Sequence, residues 1–281
     1  MTPHLSTHPD HKSIWGLDES DHNNFSLDRN NSKEIFLKGR KLEKIKLRKF
    51  RTISIDGIEV LPRINWRNLH AITKVKDQKK CNACYAFAGI AAVEANHRIH
   101  KGKMFNLSEQ EIVDCSRENE GCVGGLPTLV YEYIRANDIS LSSTYPYDQS
   151  KSKNCRKRGP KYNGLNLTSY TNLGKGILNL IKALSLGPVA VISYASFAFK
   201  HFGGGVYRGQ GCYGKKQPNH ASLLVGYNLI GSSKYFYFKN GWGSDWGDDG
   251  YYKVKIGNLN NANQGLCLIA ATTYNSIPMF F

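Results

Sequence analysis

The chain has 281 residues, 41% of them apolar and 21% charged, and a net charge of +16. That length suits one large domain or two small lobes, and the composition excludes a disordered or fibrous chain. No run approaches the roughly 18 consecutive apolar residues of a membrane span, so no membrane partner is expected. Residues 1–60 carry 11 Lys+Arg against 9 Asp+Glu, and residues 61–281 carry 27 against 13, a net +14 in the second part. No nucleic-acid motif accompanies this charge. It is read as a basic, solvated surface rather than a polyanion site, and no nucleic-acid partner is expected.

Residues 1–16 are polar and histidine-rich, with no apolar core of a signal peptide. Residues 18–32 are rich in Asn, Asp and Ser. In the basic run 38–50, Leu42, Ile45 and Leu47 fit one helical turn. Composition turns aromatic, glycine-punctuated and cysteine-bearing from Leu61, which places a boundary near residue 60. Phe87, Ala88, Ala91, Ala92 and Ala95 form a small apolar stripe, predicting a helix over Cys84–Lys101 that ends at Gly102. Residues 107–114 open a second helix, where Ser108 and Glu111 have capping-box spacing. A third is predicted over 126–137 and a fourth over 176–186, stopped by Gly187-Pro188. Beyond them 189–192, 221–225, 235–239 and 251–256 are β-branched or aromatic runs bounded by Gly and Asn, which read as strands. Helices first and strands second point to an α+β protein of two lobes, one helical and one of antiparallel sheet.

Seven cysteines stand at 81, 84, 115, 122, 155, 212 and 267. An odd count leaves one thiol over as a candidate nucleophile, and spacing alone leaves the connectivity open. Cys84 opens the first predicted helix, where unpaired N–H groups and the helix dipole favour a thiolate. Gln78, six residues upstream, has a side-chain amide able to donate to an oxyanion. His220 lies just before a strand and Asn240 just after one. An asparagine carbonyl orients an imidazole while the imidazole pairs with the thiolate. Three alternatives stand beside this reading. Cys84 can be a buried small apolar residue, half of a Cys81-x-x-Cys84 redox motif without its βαβ surroundings, or part of a zinc site whose spacings do not repeat. No cofactor or metal is expected. His97, His100 and His201 are read as surface or supporting residues away from the thiol.

The segment Gln78-Lys-Lys-Cys81-Asn-Ala-Cys84-Tyr-Ala-Phe87 resembles the Gln-Gly-x-Cys-Gly-Ser-Cys-Trp-Ala-Phe signature of papain-like cysteine peptidases, which include the lysosomal cathepsins. Further motifs follow in the family's order over nearly all of residues 61–281. They are Pro62-Arg-Ile-Asn-Trp66-Arg67, Leu107-Ser-Glu-Gln-Glu-Ile-Val-Asp-Cys115, Gly121-Cys-Val-Gly-Gly-Leu-Pro127 and Tyr145-Pro-Tyr147. Gly187-Pro-Val189, Asn219-His-Ala221 and Asn240-Gly-Trp-Gly-Ser-Asp-Trp-Gly247 complete the set.

The resemblance implies a helical lobe and a β-barrel-like sheet lobe with the active-site cleft between them. It implies Cys84 as nucleophile facing His220, Asn240 orienting the histidine and Gln78 in the oxyanion hole. It also implies disulfides Cys81–Cys122, Cys115–Cys155 and Cys212–Cys267, leaving Cys84 free. Gly124 and Gly125 would offer backbone hydrogen bonds to an extended peptide. The pocket for the residue two before the scissile bond would be lined by Leu126, Pro127, Ile192, Ala221 and Thr272, with no acidic group and hence an apolar preference. Trp242 would cover the His220–Asn240 pair, and Trp246 would serve packing.

The implied activity is that of a cysteine endopeptidase working through a thioester acyl-enzyme. Its rivals are an inactive binding protein on the same fold and an acyl transferase using the same groups. The implied partners are protein or peptide substrates, the chain's own propeptide and cystatin-type inhibitors, with the enzyme a monomer. Residues 1–60 read as the last part of an inhibitory propeptide, in which residues 14–21 resemble a family motif and an upstream helix is missing. Residues 61–281 read as the peptidase domain. A lysosomal or extracellular location is implied, which a truncated or mis-started reading frame reconciles with the missing signal peptide. Asn24, Asn30, Asn106 and Asn166 would be glycosylation acceptors on that route.

Some positions depart from the family pattern. Tyr85 stands for Trp, Ala83 and Gly241 for Ser, and Asn82 for Gly at the wall of the pocket beside the scissile bond. Lys79-Lys80 replaces a glycine-containing pair, and both lysines are expected to point into water.

Overall fold

The computed structural model describes residues 61–149, 154–156, 161–162, 164–215, 217–257 and 265–280. It also gives the backbone of two antiparallel two-residue strands, β1 (Phe36–Leu37) and β2 (Arg40–Lys41). The helical turn read at 42–47, the motif at 14–21 and the acceptors Asn24 and Asn30 lie outside the described residues.

Onward in chain order come β3 (Arg63–Asn65), α1 (Cys84–Lys101), α2 (Glu109–Cys115), α3 (Pro127–Asn137), β4 (Ile139–Ser140) and β5 (Lys161–Tyr162). The second half holds β6 (Leu167–Asn172), α4 (Ile177–Leu184), β7 (Val189–Ser193), α5 (Phe197–Lys200), β8 (Val206–Tyr207) and β9 (His220–Asn228). It ends with β10 (Tyr235–Lys239), β11 (Tyr251–Lys255) and β12 (Ser276–Phe280).

Small side chains let α1 run between neighbours on nearly all sides, and it packs against β9, β12 and α3. The helix stops at Gly102, which takes the left-handed φ of 71° that a C-cap requires, with Arg98, His100 and Lys101 favourably placed in the last turn. Only half of the predicted capping box forms at α2. Ser108 Oγ accepts the Glu111 N–H at 3.0 Å, but the Glu111 carboxylate turns to the Ser140 N–H (2.8 Å) and the Tyr133 hydroxyl (2.8 Å). The Ser108 N–H is already taken by the Ser140 carbonyl, so tertiary partners displaced the local one. Pro127 begins α3 at a position where its missing N–H costs nothing.

The sheet runs β6-β12-β7-β9-β10-β11-β8, with β3 added on β9, and every pair but β8–β11 is antiparallel. One core gathers α1, α2 and α3 with Ala190, Ala221 and Leu223 of the sheet. A second, aromatic core lies under α4 and α5 on β7, β9, β10 and β11. Disulfides Cys81–Cys122 and Cys115–Cys155 tie the helical lobe, Cys212–Cys267 ties the sheet lobe, and Cys84 is free.

His97 differs from its surface reading. It is 1% exposed, its Nδ1 is 2.9 Å from the Lys103 carbonyl, and its ring packs on Phe105, Tyr162 and Phe280. Those aromatic partners come from three separate segments, which periodicity along α1 does not register. No described helix is long and apolar enough to cross a membrane.

Candidate active site

Two loops and two element ends converge where α1 meets the sheet. Cys84 is the first residue of α1, and Ala83 before it brings no capping side chain. Burial pushes the Cys84 thiol up to about 11, against the opposing pull of the nearby backbone amides of Ala221, Tyr85 and Cys84 itself. The Ala221 contact sets Cys84 against the start of β9, whose first residue is His220.

His220 is buried, with Nε2 2.9 Å from Asn240 Oδ1. The antiparallel register of β9 and β10, with Leu223 opposite Lys239, brings residue 240 back beside residue 220. Asn240 Oδ1 also accepts the Gly241 N–H at 2.9 Å, which fixes the amide plane. The Trp242 ring lies 4.5 Å from the imidazole, with Phe199 at 6.4 Å. Trp246 stands edge-on to Trp242 at 5.0 Å and donates to the Lys200 carbonyl at 3.0 Å. Burial pushes the imidazole down to about 4, against the bond to Asn240 and aided by Lys200. Taken singly, thiol and imidazole therefore each favour their neutral forms. A proton passed from one to the other creates both charges together, and their mutual attraction in a low-dielectric site offsets part of that burial cost.

Gln78 lies at the same end of α1. Its Nε2 donates to the Cys81 carbonyl at 2.8 Å, leaving a second amide N–H, and its backbone N–H donates to the Gly241 carbonyl at 2.8 Å.

Behind Asn240 sits a buried charge cluster. Lys239 Nζ donates to Thr73 Oγ1 (3.0 Å), which donates to Glu94 (2.6 Å). Lys76 reaches Glu94 at 2.8 Å and Glu109 at 2.6 Å. Burial pushes Lys239 down to about 8 and raises Glu109. Lys76 is pulled down by burial but held above its usual range by Glu109 and Glu94.

Gly124 and Gly125 lead into α3. An added Cβ on Gly125 would come within 2.1 Å of Asn119 Oδ1, the atom that accepts the Leu126 N–H at 2.9 Å. Gly125→Ala is therefore expected to expel Asn119 from its place. Urea melts should show a loss of about 1–3 kcal/mol, since the Leu126 N–H is left buried without its acceptor. An unchanged midpoint would rule this role out.

Leu126 and Ile192 share a small buried cluster with Leu129, against which Tyr274 packs. Leu129 and Tyr274 were not among the residues read from the sequence, although Leu129, three positions after Leu126, was within reach of helical periodicity. Pro127 is buried at the start of α3, and Ala221 belongs to the larger core. Thr272 Oγ1 accepts the Tyr274 N–H at 3.0 Å and so shapes the turn. No group of three or more His, Cys, Asp or Glu able to hold a metal occurs among the described residues.

Residues 61–276 match the family model described as papain family cysteine protease. The chain belongs to that family. Caricain of Carica papaya is 37% identical over 202 residues, 70% of this chain and 56% of that protein. Cysteine endopeptidase RepA of Oryza sativa subsp. japonica is 35% identical over 226 residues, 79% of this chain and 58% of that protein. The chain thus spans under two thirds of the length of these curated relatives. Among solved structures, the Carica candamarcensis cysteine protease CMS1MS2 in complex with E-64 superposes with a TM-score of 0.70 at 31% identity. That match covers 79% of this chain and 99% of the other. Bromelain protease of Ananas comosus, also with E64, gives 0.70 at 33% identity, covering 79% and 100%.

Within the papain family pattern, Lys79 stands where glycine is usual and adopts φ 53°, the left-handed conformation glycine serves. Its side chain does not simply point into water. Asp77 accepts both the Lys79 backbone N–H (2.8 Å) and its ammonium (2.7 Å), folding the turn back on itself. Lys80 is exposed. Asn82 is not among the residues with positive φ, and its N–H donates to the Cys122 carbonyl at 3.2 Å, so a side chain is accommodated there without backbone strain. Tyr85, in place of the usual Trp, is buried and donates its hydroxyl to the Gly121 carbonyl at 2.9 Å.

Proposed function

We propose that this chain is a cysteine endopeptidase in which Cys84 is the nucleophile, His220 the general base and acid, and Asn240 the group that orients it. The observation that carries this reading is the 2.9 Å contact of His220 Nε2 with Asn240 Oδ1, beside the half-buried, disulfide-free Cys84 at a helix N-terminus. A carbonyl oxygen only accepts, so Nε2 carries the hydrogen and Nδ1 is the basic nitrogen. Nδ1 takes the thiol proton, and the thiolate adds to the substrate carbonyl carbon. The Cys84 N–H and the second N–H of Gln78 stabilise the oxyanion. Collapse of the tetrahedral adduct breaks the C–N bond, with the imidazolium proton passing to the leaving amine, and leaves a thioester. Water, deprotonated by His220, hydrolyses that thioester and releases the acid. Trp242 and Phe199 shield the imidazole–amide bond from water.

Substrate recognition follows from the same residues. Gly124 and Gly125 pair with the extended peptide. Leu126, Leu129, Ile192 and Tyr274 supply an apolar pocket for the residue two before the scissile bond. Residues 1–60 act as an inhibitory segment. A ragweed pollen cysteine protease solved in its proform, Amb a 11, is 32% identical with a TM-score of 0.71. Three disulfides suit an oxidising compartment, lysosomal or extracellular.

The test uses fluorogenic peptides bearing Leu, Phe or Arg two residues before the cleavage point, in mildly acidic buffer with reductant. The chain is assayed with and without residues 1–60 beside a Cys84→Ser control. Cleavage of the Leu and Phe peptides that vanishes in the control is the expected result. Preference for Arg would overturn the pocket assignment. Silence from folded wild-type protein would overturn the peptidase reading in favour of a binding role.

A further inference from the structure

Tyr147, met so far only as the end of the Tyr145-Pro-Tyr147 motif and given no role there, touches both the Gln78 turn and α1 beside Cys84. Its hydroxyl donates to the Gln78 carbonyl at 2.7 Å. Its ring stands edge-on to Phe87, with centroids 5.0 Å apart at 89°, and Phe87 lies one turn beyond Cys84 on α1. Burial first, then the nearby Glu109, Asp77 and Asp148 carboxylates, push the phenol well above its usual range, so the hydroxyl keeps its proton and stays a donor.

Tyr147 is itself rigidly mounted. The segment that carries it is strapped to α2 by three hydrogen bonds. Ser108 Oγ donates to the Tyr145 carbonyl at 2.6 Å, the Tyr145 hydroxyl donates to Asp114 at 2.8 Å, and the Asp148 N–H donates to Gln110 Oε1 at 3.1 Å. Gln78, by contrast, sits in a short turn whose own closure is long, the Cys81 N–H reaching its carbonyl only at 3.3 Å. Next in that turn is Lys79 with φ 53°, a conformation a non-glycine residue holds only under constraint. On the sheet side the Gln78 N–H is fixed to the Gly241 carbonyl, next to Asn240.

We propose that Tyr147 is a positioning residue that fixes the Gln78 backbone relative to α1 and so holds the Gln78 amide at the oxyanion site. The proposal rests on the peptidase reading above. An oxyanion donor acts only if it is already aimed where charge develops, and a displacement of about 1 Å costs up to about 10²-fold in rate. Gln78 keeps its Gly241 and Cys81 bonds without the hydroxyl, so the expected loss is smaller.

Tyr147→Phe keeps the ring against Phe87 and removes only the donor. In the full chain, processed to release residues 1–60 and assayed with the fluorogenic peptides, it is expected to lower kcat about 10-fold with KM unchanged. The rate of Cys84 alkylation by iodoacetamide should stay within about twofold, because displacement of iodide from an alkyl carbon forms no oxyanion. In a Gln78→Ala background the same substitution should have no further effect on kcat, since the group it positions is gone. A fall in both alkylation and kcat would mean a general disturbance of the site. An additive loss in the double variant would mean that Tyr147 acts elsewhere. An unchanged kcat in Tyr147→Phe would also overturn the proposal. Failure of wild-type protein to cleave any peptide defeats the underlying peptidase reading instead, and is told apart by that.

Discussion

Replacing His220 with alanine is expected to lower kcat/KM for peptide hydrolysis by on the order of 10³-fold, the usual worth of a positioned acid–base group. Restoring imidazole in the buffer should recover part of the rate. A residual activity within tenfold of wild type would remove His220 from the mechanism.

The same variant has a pH signature in stability. In the folded chain burial pushes the imidazole down to about 4 from an unfolded value of 6.5. Between those values the unfolded chain binds a proton that the folded chain refuses, so stability rises with pH there. The contribution is fully present above pH 6.5 and is lost as pH falls toward 4. His220→Ala should flatten that acid limb in urea midpoints compared across pH, whatever its constant offset. The thiol has the opposite sign. Pushed up to about 11 from 9.0, its contribution is full below pH 9 and is lost as pH rises toward 11, and Cys84→Ser should flatten that limb.

Glu94→Ala is expected to destabilise the chain by about 3–5 kcal/mol, because one buried carboxylate serves several groups. It accepts from Thr73 (2.6 Å), Lys76 (2.8 Å) and the Leu107 N–H (2.8 Å), and it is the anion that most favours charge on the buried Lys239. Removing it leaves the Leu107 N–H without its acceptor and two ammonium groups sharing Glu109. For a domain of this size the melting temperature should fall by on the order of 10 °C. Glu94→Gln keeps the shape and part of the hydrogen bonding, and should cost less. A melting temperature for Glu94→Ala within about 2 °C of wild type, roughly 1 kcal/mol or less, would show that the cluster is not held by this residue.

Legibility in the sequence divides along physical lines. The helix over Cys84–Lys101 was readable to the residue, because an alanine-rich stripe and a glycine stop are local signals. Tyr235–Lys239 was equally clear from its aromatic run. The four-residue helix Phe197–Lys200, the strand Ser276–Phe280 and the pairing of β3 on β9 were not. Each is too short or too irregular to carry a period, and exists because the sheet offers it partners. The residue types at Gln78, Cys84, His220 and Asn240 announced nucleophilic chemistry only once their motifs were read together. Spacing alone left Cys84 open to other roles.

By itself the sequence determined the α+β class, the main helices and the odd thiol, since these rest on composition, periodicity and counting. Tertiary structure alone decided that Glu111 abandons its capping box for Ser140 and Tyr133, and that His97 is core. It alone decided that Tyr147 reaches Gln78 across 69 residues and that Leu129 and Tyr274 meet Ile192. Hydrogen bonds and burial depend on which distant groups arrive at under 4 Å, and no local pattern encodes that arrival.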